Sequence, residues 1–176
     1  IFYPLSVLML AGIKDILIIS NKQNLNKFKL LFKTGSHLGI NITYKIQPKP
    51  EGIAQALVLG KDFIKNDPVC LILGDNIFYG SDLVKNLNLA ISNISEFASL
   101  FAYQVSNPSS YGVIKYNKKN QPVEIIEKPK KFIGNYAVTG IYFYPKGVSK
   151  IAKQIKKSKR GEFEITSLNN YYLEAK

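Results

Sequence analysis

Two runs, Ile16-Leu17-Ile18-Ile19 and Val69-Cys70-Leu71-Ile72-Leu73, contain no polar or charged side chain except a single thiol. They are far shorter than the ~20 residues that a membrane span requires. An apolar run of strand length has no face to offer water, so both its sides must be covered. A parallel sheet between layers of helices does this. The segments around these runs follow the helical period. Leu25, Phe28 and Leu31/Phe32 recur at helical spacing, as do Ile53, Ala56/Leu57, Gly60 and Ile64, and then Leu83, Leu87, Ala90/Ile91 and Ile94. Tyr3 to Ala11 predicts a helix, with Pro4 in its first turn and Gly12 at its C-terminal cap. Ile42 to Ile46 and Ala98 to Val105 read as further strands. The second half changes character. Tyr111 to Tyr116, Pro122 to Glu127 and Tyr136 to Tyr144 predict strands, and helices follow at about Gly147 to Lys156 and Glu162 to Leu173. With no repeat, linker or low-complexity tract, residues 1–176 predict one α/β domain. It is Rossmann-like: a mostly parallel sheet flanked by helices, with an antiparallel addition.

Charge bears on partners. The 24 basic and 12 acidic residues give a net charge of +12, which would suit a polyanion. Yet every basic residue except Arg160 is a lysine, and the lysines are scattered, with one dense run at Lys156-Lys157-Ser158-Lys159-Arg160. A nucleic-acid surface needs clustered cations interleaved with aromatics for stacking. That pattern is missing, so no nucleic-acid partner is expected, and no membrane partner either. One cysteine, Cys70, precludes an internal disulfide and fits a reducing compartment. No secretory signal opens the chain, so a cytoplasmic location is expected.

In open α/β sheets ligands bind beyond the carboxyl ends of the strands. Gly74-Asp75-Asn76 ends the second apolar run. Asp75 there either offers a hard oxygen ligand to Mg2+ carrying nucleotide phosphate, or closes a turn with its own side chain. Gln47-Pro48-x-Pro50-x-Gly52 leads into a helix whose N–H groups would point outward, and Gln47 carries both a donor and an acceptor. The same segment would serve as a plain strand-to-helix connection. Glu127-Lys128-Pro129 closes a strand with adjacent opposite charges, suited to a hydroxyl and a phosphate or merely to solvent. Arg160-Gly161-Glu162 precedes a helix, where guanidinium and helix N-terminus both favour an anion. His37 stands alone and reads as a loop residue, and Cys70 as core. There is no GxGxxG, Walker loop, zinc pattern or nucleophile elbow.

These segments, in this order, resemble the glucose-1-phosphate thymidylyltransferases among the sugar-nucleotide nucleotidyltransferases. The resemblance is carried by Tyr3-Pro4-Leu5 to Gly12, Gln47-Pro48, Gly52-Ile53-Ala54-Gln55-Ala56, and Leu73-Gly74-Asp75-Asn76-Ile77-Phe78-Tyr79-Gly80. It continues through Tyr111-Gly112-Val113, Glu127-Lys128-Pro129, Tyr136 to Tyr144, and Arg160-Gly161-Glu162-Phe163-Glu164-Ile165-Thr166. It implies the nucleotide-diphospho-sugar transferase fold. It also implies the reaction of dTTP with glucose 1-phosphate to dTDP-glucose and pyrophosphate, the first step toward dTDP-rhamnose. By the same resemblance Asp75 helps hold Mg2+, and Gln47 and Gly52 face the thymine. Tyr111, Gly112, Glu127 and Val138 surround the sugar. Lys128 and Arg160 bind the sugar phosphate that becomes the nucleophile, and the full-length protein is a homo-oligomer.

The family begins with a strand, a loop of the form Gly-Gly-x-Gly-Thr-Arg and an active-site lysine, none of which precedes Tyr3 here. A second metal-binding aspartate of the family has no counterpart either. With Ile1 in first place, the chain is expected to be an internal piece of a longer protein, nearly inactive alone. Other readings are a uridylyl- or other sugar-1-phosphate nucleotidyltransferase, a fragment that only binds weakly, and a lysine-rich polyanion binder.

Overall fold

A computed structural model describes residues 1–175. Helix α1 (Phe2–Leu10) begins at the N-terminus, with Pro4 where the missing N–H has no intrahelical partner to lose. It ends as expected at Gly12, whose φ is +72°. Gly12 N–H donates to Met9 O (2.9 Å) and Ile13 N–H to Leu8 O (3.0 Å), the paired bonds of a Schellman cap. Strand β1 (Asp15–Ser20) leads to α2 (Lys22–Phe32), whose first turn is capped by Asn21 accepting from Asn24 N–H at 2.9 Å. Strand β2 (Asn41–Ile46) pairs in parallel with β1, Asp15 opposite Asn41. The apolar stretch 53–64, which reads as one helix, is two: α3 (Gln55–Leu59) and α4 (Lys61–Ile64), broken at Gly60. Then come β3 (Val69–Ile72), α5 (Leu83–Ser92), β4 (Ser99–Gln104), β5 (Gly112–Tyr116), β6 (Pro122–Glu127), β7 (Tyr136–Tyr144), α6 (Val148–Gln154) and α7 (Ile165–Glu174).

The strands form a parallel pair, β1-β2, and a five-stranded sheet in the order β3-β7-β5-β6, with β4 also on β7. Every pairing in the larger sheet is antiparallel. The α/β class and the antiparallel addition hold, but the parallel part is one strand pair rather than most of the sheet. Wholly apolar strands signal burial on both faces, and burial is indifferent to which way the neighbour runs.

Strand β7 is the spine. Tyr142 pairs with both Leu71 and Leu100, and Ala137 with both Tyr103 and Val113, so β4 takes one edge while β3 and β5 share the other. Its side chains alternate between two cores. Tyr142 and Tyr144 pack with Ala54, Leu57, Val148, Ala152 and Leu168 beneath α3, α6 and α7. Ile141 and Phe143 pack on the opposite face with Val7, Leu87 and Ala90 of α1 and α5. A third cluster, around Leu5, Ile16, Leu25, Phe32 and Ile42, joins α1 and α2 to the β1-β2 pair. Each such large side chain contributes roughly 1.5–3 kcal/mol by leaving water.

Strands β1 and β3 do not pair with each other. Their edges face across a cleft of about 840 Å³, walled by Ile16, Leu17, Cys70 and Leu71 with Leu8 and Leu57 closing it. Cys70, expected in the core, lies in this packed region, and burial pushes its thiol up to about 12. His37 is exposed in a short 3-10 turn, as a loop residue should be.

Candidate active site

The β3 end supplies the first element. Asp75 is exposed, and its Oδ1 accepts from Asn76 Nδ2 at 2.8 Å. Asn76 in turn accepts from Gly140 N–H at 2.9 Å, while Leu73 N–H donates to Gly140 O at 2.8 Å. A Cβ on Gly140 would lie 2.8 Å from the Asn76 carboxamide and would push it off its bond to Gly140 N–H. Asn76 therefore ties Asp75 to the middle of β7. Asn76 carries the bond to β7, and Asp75 stands exposed at the strand end with a carboxylate directed to solvent. Among the described residues no three His, Cys, Asp or Glu side chains gather as a metal site. One open carboxylate does suit Mg2+, which usually takes one or two protein carboxylates and fills its shell from phosphates and water.

The second element joins two segments distant in sequence. Gln47 Nε2 donates to Gln55 Oε1 at 2.6 Å. The buried Gln55 also accepts from Glu51 N–H at 3.2 Å and donates to Glu51 Oε2 at 2.9 Å. Gly52 has φ +104°, and a Cβ there would run into the Phe163 carbonyl and stand 2.7 Å from Phe163 N. Phe163 N–H donates to Glu51 O (2.7 Å) and Ala54 N–H to Phe163 O (3.2 Å). Lys157 Nζ meets Glu51 Oε1 at 2.6 Å. The outward N–H groups expected at this helix start are partly spent, since Ala54 bonds Phe163, Gln55 bonds Gly52 and Ala56 bonds Ile53.

The third element surrounds Glu127. Thr166 Oγ1 on α7 donates to Glu127 Oε2 at 2.5 Å. Gly112 lies opposite Glu127 in the β5-β6 ladder, and a Cβ there would sit 3.2 Å from Thr166 Oγ1 and 3.4 Å from Glu127 Oε2. Arg160 meets three carboxylates: Glu127 at 3.8 Å, Glu162 at 3.1 Å and Glu164 at 3.6 Å. It does not sit at a helix N-terminus as its sequence position suggests. Helix α7 begins at Ile165, and Glu164 occupies its N-cap. Glu127, Arg160, Glu164 and Thr166 line a groove of about 410 Å³. Lys128 is exposed with φ +45°, takes part in none of the ion pairs among the described residues, and donates its N–H to Tyr111 O at 2.9 Å. Tyr111 is exposed beside it, whereas Val138 is half-buried on β7 opposite Ala102.

Glu127, Gly112 and Arg160 thus come together, with Lys128 and Tyr111 at the rim and Val138 further along the sheet. Gln47 and Gly52 join them through the Phe163 backbone. Asp75 is linked electrostatically: the Tyr142 phenol on β7 is held well above its ordinary value by burial first, and then by the charges of Glu127 and Asp75. Thr166, Gln55 and Asn76 are the side chains that sequence reading leaves without a role. All three lie within the quoted motifs, so their proximity to the site had a signal but their bonds did not.

A family model described as Nucleotidyl transferase matches residues 1–176. A glucose-1-phosphate thymidylyltransferase of Neisseria meningitidis serogroup A is 51% identical over 174 residues, 99% of this chain and 60% of that protein. One from Xanthomonas campestris pv. campestris is 48% identical over 175 residues, 99% and 59% respectively. The chain spans about 60% of the length of these relatives. Among solved structures, a putative glucose-1-phosphate thymidylyltransferase from Bacillus anthracis, in complex with a sucrose, superposes with a TM-score of 0.88. It is 38% identical, and the match covers 99% of this chain and 70% of that one. A UDP-glucose pyrophosphorylase, at 22% identity and a TM-score of 0.79, shares the fold.

Proposed function

Because this chain belongs to the nucleotidyl transferase family, we propose that the protein carrying it transfers a thymidylyl group from dTTP to glucose 1-phosphate, releasing pyrophosphate. The observation that carries this reading is identity at about half of all positions, over essentially the whole chain, to proteins named for that activity. A phosphate oxygen of glucose 1-phosphate attacks the α-phosphorus of dTTP, and the bond to the β-phosphate oxygen breaks. Pyrophosphate carries off the electron pair. The attacking oxygen is already ionised, so the step needs charge neutralisation and alignment more than a base.

Mg2+ bound at Asp75 would supply part of that neutralisation. Glu127, oriented by Thr166, accepts from sugar hydroxyls beside the open space that Gly112 leaves. Lys128 offers its ammonium to the sugar phosphate. Arg160, itself exposed but held by three half-buried carboxylates, joins it by exchanging one of those partners for the phosphate. Gln47, steadied by Gln55, presents its amide to the imide edge of thymine, and Gly52 keeps that loop against Phe163. We further propose that the enzyme is cytoplasmic and homo-oligomeric, and that its product leads toward dTDP-rhamnose. The triphosphate requires the glycine-rich loop that the family carries ahead of α1, so these residues are expected to turn over only when joined to it.

The test is steady-state turnover with Mg2+, by the 176-residue chain and by the protein at the length of its relatives. Synthesis of dTDP-glucose by the longer protein, with dTTP preferred over dCTP, is the expected result. Equal use of dCTP would remove Gln47 from base recognition, and turnover by the short chain would remove the need for the loop.

A further inference from the structure

Strand β6 ends its sheet: β5 pairs with one edge, and among the described residues no strand lies against the other. An edge strand leaves every second residue with both its peptide groups unpaired. At Ile125 these groups are met by a side chain. Ile125 N–H donates to Asn170 Oδ1 at 2.7 Å, and Asn170 Nδ2 donates to Ile125 O at 2.8 Å. One carboxamide on α7 thus makes both bonds that a neighbouring strand would make.

Four residues earlier on the same helix, Thr166 donates to Glu127, two residues beyond Ile125. The spacings agree. Four helical residues rise about 6.0 Å, and two strand residues about 6.6–6.8 Å. The later helix residue meets the earlier strand residue, so α7 and β6 run in opposite directions, joined by two polar rungs. Asn169 and Asn170 sit mid-helix, where asparagine is a weak helix former, because its amide competes for backbone groups. Here the Asn170 amide is committed to β6, and that of Asn169 accepts from Tyr144 OH at 2.6 Å.

We propose that Asn170 is a positioning residue for Glu127, fixing the edge strand β6 along α7 so that the carboxylate arrives in register with Thr166 and Arg160. Among the described residues the other hydrogen bond between this edge and α7 is that of Thr166 to Glu127 itself. Beyond Glu127 the chain turns at once through Lys128, whose φ is +45°. Without the Asn170 rung, the buried Ile125 N–H and C=O lose their partners, and β6 keeps its ladder to β5 but loses one of its two polar ties to the helix. This inference rests on the reading of Glu127 as the acceptor of sugar hydroxyls.

The test is kinetics of the protein at the length of its relatives, varying each substrate separately, for Asn170→Ala, Asn170→Asp and, as reference, Glu127→Gln. Asn170→Ala should raise KM for glucose 1-phosphate about tenfold, equivalent to about 1.4 kcal/mol, with KM for dTTP changed less than twofold. Asn170→Asp keeps the acceptor and loses the donor, so it should show the same split at about threefold. Should the alanine variant not fold, the aspartate variant decides alone. A fall in melting temperature with both KM values unchanged would overturn the proposal, reducing Asn170 to an edge cap. A sugar KM raised by Glu127→Gln but not by either Asn170 variant would overturn it while leaving the site reading intact. An unchanged sugar KM in Glu127→Gln would overturn both.

Discussion

Replacing Gly52 by alanine should separate the two loops that carry Gln47 and Arg160. The new methyl group would meet the Phe163 carbonyl and stand 2.7 Å from Phe163 N, backbone atoms that cannot rotate away. A φ of +104° is itself strained for any residue with a Cβ, at a cost of order 1–3 kcal/mol. Moving Phe163 aside breaks its N–H bond to Glu51 O at 2.7 Å and the Ala54 bond to its carbonyl at 3.2 Å, each contributing about 1 kcal/mol. The sum is about 3–5 kcal/mol. For a domain of this size that lowers the melting temperature by about 10 °C. Urea denaturation of Gly52→Ala would be measured beside two comparisons. Gly74→Ala meets nothing within 4 Å and should stay within about 0.5 kcal/mol of the parent. Lys157→Ala removes a half-exposed ion pair to Glu51 and a cation–π contact 5.0 Å from the Phe163 ring centre, and should lose less than about 2 kcal/mol. A Gly52→Ala loss as small as that of Lys157→Ala would mean that the loops do not meet through the Phe163 backbone.

Asp75→Asn keeps the shape and the Asn76 bond but removes the charge, so turnover should fall on the order of 10² to 10³ while melting barely moves. Near-normal turnover across a Mg2+ titration would leave Asp75 as a turn residue. Cys70 and Tyr172 are both raised to about 12, and burial raises Tyr142 and Tyr144 as well. The unfolded chain releases these protons from about pH 9 upward while the folded one keeps them. Stability is therefore whole below about pH 9 and falls as pH rises toward 12, by up to about 1.4 kcal/mol per pH unit for each group. Melting temperatures unchanged from pH 7 to 11 would contradict that burial. Glu162→Gln releases Arg160 from the 3.1 Å partner, so KM for glucose 1-phosphate should fall roughly two- to fivefold, the span of an exposed pair, and a rise would argue that Glu162 itself binds substrate.

Strands β1, β6 and β7 were legible to the residue, because apolar runs and alternation bounded by turn residues are local signals. So was the cap at Gly12. The pairing directions were not, since β3 finds its partner some seventy positions downstream in β7 and its own sequence says only that it is buried. The same distinction holds at the site. Glu127, Arg160, Gln47 and Asp75 stand out by charge or by position at a strand end. The groups that aim them do not, because their bonds span 39 residues from Thr166 to Glu127, 45 from Asn170 to Ile125 and 64 from Asn76 to Gly140. Gln55 lies only eight residues from Gln47, yet its bonds to Gln47 and Glu51 left no pattern in the sequence either.

The charge of +12 acquires a different meaning once the acidic residues are placed. Glu127, Glu162 and Glu164 converge on the single arginine, so the groove beneath α7 is locally acidic although the chain is strongly basic. A site built to seize polyanions would not surround its best anion-binding fork with three carboxylates. A sugar site would gain from that arrangement: carboxylates accept from hydroxyls, and the arginine fork holds them in place. In the proposed site the phosphate would be directed to the rim, where Lys128 projects from a backbone turned through positive φ and takes part in no ion pair among the described residues. Scattered lysines beyond a Debye length of about 10 Å act only as a diffuse field that favours the approach of anions. In the proposed site, hydroxyl and phosphate would be told apart within the width of one strand end, by the step from Glu127 to Lys128.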